Sequence, residues 1–359
     1  MRKYVWFLVI AVVTIVFLGV SPQYCFAQED NDGLSFLVLP VAMYTSDTGF
    51  GGGFACLKTY HPQNERISTI SGIGIYTEKN QLNTQVKIDH YFSDNKNRME
   101  AWVGYQRFPQ YFYGMGNNTA NEDPEKYTPE TVDALIAWEY RMLGALRVRM
   151  SAFYNKRVTL ESKTGGVIGT DMIPWGRGRT DAGPGFAILW DTRDNTLATK
   201  NGEFVKCRLL NSWYQSKGNG FSHLTVDSRM FRTVLPGYVV AFMLGYSDIG
   251  GGAPFYLRST IGGYDRLRGY ENERFTGRTS LLVQHDHRFP IWGPVEGSLF
   301  AASGQVADGP GSLGISRFHF AAGGGLRIVF NREDNFLVRL DYAKGHDSDG
   351  IYVTFGEAY

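Results

Sequence analysis

Apolar and polar residues alternate with a period of two along most of this chain, from about residue 37 to its end. In the stretch 320–330, Phe320, Ala322, Leu326, Ile328 and Phe330 share one face, while Gly323, Gly325 and Arg327 share the other. Further on, Val338, Leu340 and Tyr342 alternate with Arg339 and Asp341. Successive side chains of a strand point to opposite faces, so this spacing predicts half-buried β-strands. Sixteen such segments can be marked, at 37–45, 48–60, 66–78, 80–92, 97–107, 127–141, 143–157, 178–191, 203–216, 219–234, 236–247, 276–289, 295–305, 316–330, 335–343 and 350–359.

An even number of strands with one apolar and one polar face fits a transmembrane antiparallel barrel, whose lipid-facing and lumen-facing residues alternate. A soluble β-sandwich alternates in the same way and is the competing reading. The connections favour the barrel. Those near 108–127, 158–177, 248–275 and 306–315 are long, and each follows an odd-numbered strand. Ser93-Asp94-Asn95-Lys96, Leu235-Pro236-Gly237 and Asn331-Arg332-Glu333-Asp334 are tight, and each follows an even one. Short periplasmic turns and long outer loops are the asymmetry of outer-membrane barrels. Two connections depart from it: 191–203 is long on the turn side, and Ser46-Asp47-Thr48 is short on the loop side.

The first residues change the picture most. Arg2 and Lys3 precede an apolar run from Tyr4 to Val20, broken by Ser21-Pro22, and Cys25-Phe26-Ala27 puts small residues before Gln28. That order is a secretory signal peptide over 1–27, leaving a barrel over 28–359. An uncleaved anchor is the alternative, since the run is at the short edge of a spanning helix. Aromatic residues make up 14% of the chain, which favours a barrel with aromatic girdles over a sandwich. The formal net charge of +1 is spread evenly, so nothing argues for nucleic acid. Cys56 and Cys207 lie far apart and read as two free thiols.

The longest outer connection holds Gly262-Gly263-Tyr264-Asp265-Arg266-Leu267-Arg268-Gly269-Tyr270. Here the chain resembles the BamA/TamA family of outer-membrane proteins, also called the bacterial surface antigen family, whose sixth outer loop folds into the lumen and carries an Arg-Gly-aromatic motif. Gly183-Pro184-Gly185, followed by Asp191-Thr192-Arg193-Asp194-Asn195 and Gly202, is similar to the family's mid-barrel motif. Asp286-His287-Arg288-Phe289-Pro290, Gly323-Gly324-Gly325-Leu326-Arg327, Arg339-Leu340-Asp341-Tyr342-Ala343 and Gly356-Glu357-Ala358-Tyr359 resemble its later strands. Phe108-Pro109 to Tyr113-Gly114-Met115-Gly116-Asn117 is similar to its short members. The resemblance implies an inward-folded sixth loop and a seam between first and last strands that can open laterally.

Luminal chemistry follows from the strand pattern. Ser280, Leu282, Gln284, Asp286 and Arg288 share one face, so Asp286 should point inward. A guanidinium inside a barrel needs a carboxylate, and Arg268–Asp286 is expected to pin the loop. The bland alternative is that Arg268 is a solvated loop residue. The family adds a second acid in a Phe-x-Asp-x-Gly pattern; this chain has Ala302 in that place, and Asp341 is the residue that could substitute. Pro40 cannot donate to a ladder, which suits either a weakly paired first strand at the seam or simply a strand start. By the resemblance, Tyr359 is the terminal aromatic through which such barrels are recognised for insertion.

No nucleophile elbow, zinc-binding HExxH, phosphate loop or paired cysteine site is present, so the sequence gives no reason to expect an enzyme, a cofactor or a metal. His285 and His287 flank Asp286 on the opposite strand face, so the three cannot converge. The barrel starts soon after the signal peptide, which leaves no room for the periplasmic POTRA domains that the larger members carry. Three roles are then open: an accessory of outer-membrane protein assembly or surface export, a passive pore, and a scaffold for a lipoprotein or enzyme. The expected partners are outer-membrane lipid, assembly lipoproteins and a POTRA-bearing barrel.

Overall fold

The structure, a computed structural model, describes residues 35–45, 49–60, 66–120, 123–170, 172–196, 198–331 and 336–359. The signal segment 1–27 and the turn Ser46–Thr48 lie outside them. Sixteen long strands run in chain order: β1 Ser35–Thr45, β2 Gly49–Tyr60, β3 Ser68–Thr77, β4 Leu82–Phe92, β5 Asn97–Arg107, β6 Glu125–Leu143, β7 Leu146–Ser162, β8 Thr180–Asp191, β9 Gly202–Asn211, β10 Phe221–Leu235, β11 Tyr238–Gly251, β12 Thr279–Trp292, β13 Val295–Ala307, β14 His319–Asn331, β15 Phe336–Lys344 and β16 Asp349–Phe355. Each pairs antiparallel with the next in sequence, in one continuous sheet. Among the described residues, no ladder joins β1 to β16.

The alternation read from sequence becomes an inside and an outside. On β6, Ala137 and Glu139 are buried while Ile136, Trp138 and Tyr140 are exposed. On β12 the inward row Ser280, Leu282, Gln284, Asp286 and Arg288 is buried, whereas Val283 on the other face is exposed. An Arg or Lys on the lipid face would cost about 2–4 kcal/mol at the bilayer midplane, which confines these charges to the lumen. His285 and His287 sit on the outer face, ringed by Phe242 and Tyr238, with the Tyr238 hydroxyl 3.0 Å from His287 Nδ1. Cys56 and Cys207 are unbridged.

Two departures from the sequence pattern have clear causes. The long 191–203 connection is a folded turn. The Asp194 carboxylate accepts the backbone N–H groups of Asn195, Lys200 and Asn201 at 2.9–3.1 Å, and Asn195 Oδ1 accepts that of Ala198. Carboxylates that satisfy loop amides in this way replace the ladder a longer strand would have supplied. Gly202 closes the turn at φ 116°, where a Cβ would lie 2.4 Å from the Thr192 carbonyl oxygen. The second departure is at the end of the chain: β16 stops at Phe355, and residues 356–359 leave the sheet. Gly356, at φ 72°, turns the chain inward while its N–H still bonds to Leu337.

The outer connections interlock over the mouth. Gly116 donates to the Thr276 carbonyl at 2.7 Å, and Asn117 Oδ1 accepts the Val306 N–H at 2.9 Å. Arg274 donates to both the hydroxyl and the carbonyl of Thr119 at 2.6 Å. Trp175 Nε1 donates to the Gly252 carbonyl at 3.0 Å, and Tyr127, Ile168, Ile173 and Phe255 pack into one apolar cluster beneath.

Candidate functional site: the luminal loop and its pin

The connection between β11 and β12 rises from the wall, forms a two-stranded hairpin of Ser259–Ile261 with Phe275–Gly277, and sends its tip back into the lumen. The hairpin base is apolar: Ile261 and Phe275 pack with Leu267, Tyr270, Leu282, Ala302 and Val306. This packing fixes where the tip enters. At the tip, Leu267 has a left-handed backbone (φ 54°) and its N–H donates to Gln284 Oε1 at 3.0 Å. Gln284 in turn donates to the Asp265 carbonyl at 2.9 Å, so one β12 side chain clasps both sides of the turn.

Arg268 follows and is 1% exposed. Its two terminal nitrogens fork, Nη2 to Asp286 Oδ1 at 2.7 Å and Nη1 to Asp341 Oδ2 at 2.6 Å. The Phe300 ring lies under the guanidinium, 3.4 Å from ring centroid to Cζ. Ala302 is buried on the same strand and supplies no charge, so the second carboxylate comes from β15 instead of β13. Burial alone would weaken the guanidinium's hold on its proton. Asp286 and Asp341 outweigh it, and the group sits above its ordinary value. A charge-assisted, forked contact of this kind is among the stronger polar interactions available inside a protein.

Gly269 and Tyr270 have separate roles. The Gly269 N–H donates to the Tyr352 hydroxyl at 2.9 Å, and its carbonyl accepts from Ser348 Oγ at 2.5 Å. At φ 107° a Cβ here would lie 2.8 Å from Gly345 N and from the Lys344 carbonyl carbon. We expect Gly269→Ala to lift the tip off β15 and β16, lowering the barrel's resistance to heat by an amount consistent with about 1–3 kcal/mol of backbone strain. A melting curve indistinguishable from the parent would show that the close approach is dispensable. The Tyr270 hydroxyl donates to the Phe320 carbonyl at 3.2 Å and accepts the His346 N–H at 3.1 Å. Its ring meets Phe275 edge-on.

The charges extend beyond Arg268. Asp341 also accepts from Arg327 at 2.6 Å and faces Arg339 at 3.4 Å. Glu357 faces Arg327 at 3.3 Å and Arg288 at 3.5 Å, and Arg288 reaches back toward Asp286 at 3.7 Å. Four guanidiniums and three carboxylates thus form one ring across the loop tip, β12, β14, β15 and the inturned residues after β16. Tyr359 is carried inward with Glu357. It packs on Phe231, Ala241 and Met243, across the lumen from β16, and Arg288 donates to its main-chain oxygen at 3.3 Å. The resemblance implies a place for the terminal aromatic Tyr359 at the seam between first and last strands; its ring instead lies in the lumen, because the buried Arg288 and Arg327 draw Glu357 inward.

The mid-barrel motif is a separate structure at the turn end of β8. Asp191 accepts from Arg66 at 2.6 Å and from Arg193 Nε at 2.9 Å, and the Arg193 guanidinium lies over Phe204, 4.3 Å from the centroid. Asp194 organises the turn that follows. Pro40 is exposed on β1, opposite Phe54 of β2. Asp191, Asp194 and Pro40 therefore lie apart from the loop pin. Glu357, Tyr352 and Phe300 belong to it, although the strand pattern marks them only as inward or aromatic.

No protein-family model matches the chain, and no curated protein matches it. Solved structures do. BamA from Haemophilus ducreyi lacking POTRA domains 1-3 is similar with a TM-score of 0.57 and 14% identity, covering 92% of this chain and 71% of that one. CdiB from Acinetobacter baumannii is similar with a TM-score of 0.55 and 10% identity, covering 89% of this chain and 59% of that one. At these identities the likeness is one of fold, and it spans nearly every strand described above. The chain folds as a β-barrel of the BamA type, an antiparallel sheet of sixteen long strands with the outer loop between β11 and β12 turned into the lumen.

Proposed function

We propose that this chain is an outer-membrane barrel that assists outer-membrane protein assembly or surface export, acting at the edge between β1 and β16 or docked to a larger complex. The observation that carries the reading is that edge. β1 pairs with β2 along its whole length, and among the described residues its other side meets no strand. A free strand edge is a template for an incoming strand, and within a bilayer its unpaired amides favour pairing strongly. Its partners on this reading are outer-membrane lipid, assembly lipoproteins and a POTRA-bearing barrel. A passive pore is disfavoured because the pinned loop and the inturned residues 356–359 occupy the lumen under an interlocked outer mouth.

The test is a reversible lock. With Cys56 and Cys207 replaced by Ser, cysteine pairs are placed around Val38 on β1 and Val353 on β16, both on the outward face. Folded barrels and exported surface proteins are then counted in cells with and without reductant. Oxidation should depress those levels at least severalfold, and reduction should restore them. Undiminished assembly in a fully cross-linked strain would sink the seam reading.

A further inference from the structure

Away from the pin, the lumen holds a second, differently charged place. A cavity of about 190 Å³ lies between the loop tip and the wall formed by β9 to β12. That is many times the ~10–15 Å³ one water requires. Lys206 and Arg208 of β9 line it from one side and Arg266 of the loop tip from another, with hydroxyls of Thr225, Ser247 and Ser280 between them. On β9 the neighbours Val205, Cys207 and Leu209 face outward and are exposed, so both β9 cations are on the lumen face.

The charge there is unbalanced. Every arginine of the pin has a carboxylate partner, but among the described residues none of Lys206, Arg208 and Arg266 is ion-paired. The one carboxylate in the lining, Asp227, is already held by Arg229 through two hydrogen bonds of 2.8 and 2.6 Å. Arg208 Nε is spent on Thr225 Oγ1 at 3.2 Å, which orients the guanidinium and leaves its terminal nitrogens free of ion pairs. Three like charges facing one partly open cavity repel each other, and more strongly than they would in bulk water. Ser247 is committed to His223 and Ser259, so the arrangement gains most from a compact, multiply charged anion that would meet the three cations and the hydroxyls of Thr225 and Ser280 at once.

We infer that this cavity is a luminal oxyanion site that takes a phosphate-sized group and ties the loop tip to β9 at a second point, independent of Arg268. The inference stands on the cavity and its charges alone, whichever role the barrel has.

The first probe is inorganic phosphate on the purified barrel in detergent. Its binding is followed by calorimetry and by heat resistance of the folded band, with chloride supplying the same ionic strength in the control. Phosphate should bind saturably and raise the unfolding temperature beyond the chloride control. Arg266→Gln and Arg208→Gln should each weaken binding about tenfold or more, the loss expected for one charged hydrogen-bonding partner. Arg229→Gln, which frees Asp227, should weaken it as well. An Arg268→Ala barrel should still bind if it folds, and Arg266→Lys should bind with intermediate affinity. Equal stabilisation by chloride, or the same phosphate affinity in Arg266→Gln as in the parent, would overturn the site. So would a competing acidic peptide that binds while phosphate does not, because it would assign the cations to a polypeptide.

Discussion

Arg268→Ala should lower the temperature at which the folded barrel unfolds in detergent, and should raise single-channel conductance in planar bilayers. The arginine is buried against two carboxylates and a ring, and among the described residues its removal leaves Asp286 with Arg288 alone, at 3.7 Å. Stripping one partner from a buried ion pair costs about 3–5 kcal/mol, because the remaining charge stays desolvated without its counterion. The loss is local first. The tip would still be held by Gln284 on Leu267 and by Tyr352 on Gly269, so the loop should loosen rather than leave. In a barrel of this size such loosening is read as faster heat denaturation. Arg268→Lys should recover part of the resistance, since an ammonium keeps the charge but loses the planar fork whose two nitrogens reach Asp286 and Asp341 separately. A variant unchanged in both heat resistance and conductance would reduce Arg268 to a bystander.

Much of this architecture is legible in the sequence, and the reason is the bilayer. Lipid on one side and a polar lumen on the other impose a period of two on every strand, so Asp286 and Arg288 on one face and Val283 on the other can be read from the sequence alone. Charges at inward positions of a strand mark the lumen, which is why Arg339 and Asp341 stand out among Val338, Leu340 and Tyr342. What the pattern cannot carry is partnership across the lumen. Glu357 lies in a short segment after a glycine, and its partners Arg288 and Arg327 are strands away. Nothing local distinguishes it from one more residue of β16. The same holds for Asn117, whose side chain ties to Val306 and Arg317. Asp194 is a different case: its carboxylate serves amides within seven residues, a turn-building pattern visible in Asp194-Asn195 followed by Gly202. The unpaired cations were also hidden, because Lys206 and Arg208 alternate on β9 as ordinary luminal residues until Arg266 is brought across from the loop.

The largest single effect is expected not at Arg268 but at Asp341. Asp341→Asn keeps the shape and one acceptor oxygen, yet removes a negative charge that, among the described residues, Asp341 alone presents to Arg268, Arg327 and Arg339 together. Asp286→Asn removes a charge that answers Arg268 at 2.7 Å and Arg288 at 3.7 Å, and Arg288 keeps Glu357. Asp341→Asn should therefore unfold at a lower temperature than Asp286→Asn, by more than the scatter between preparations. Double-mutant cycles with Arg268→Ala sharpen the contrast, since coupling energies are measurable when residues share one network. In the Arg268→Ala background, Asp286→Asn should cost little or even stabilise, because Asp286 has lost its closest cation. Asp341→Asn should still be costly there, because Arg327 and Arg339 remain buried beside it. Were the two carboxylates to behave alike in that background, the ring would be a set of independent pairs, and Asp341 would be no more than a second hook for the loop. Retained cost at Asp341 alone would make it the charge on which β14, β15 and the loop tip all depend, so that freeing the loop and loosening the last strands become one event.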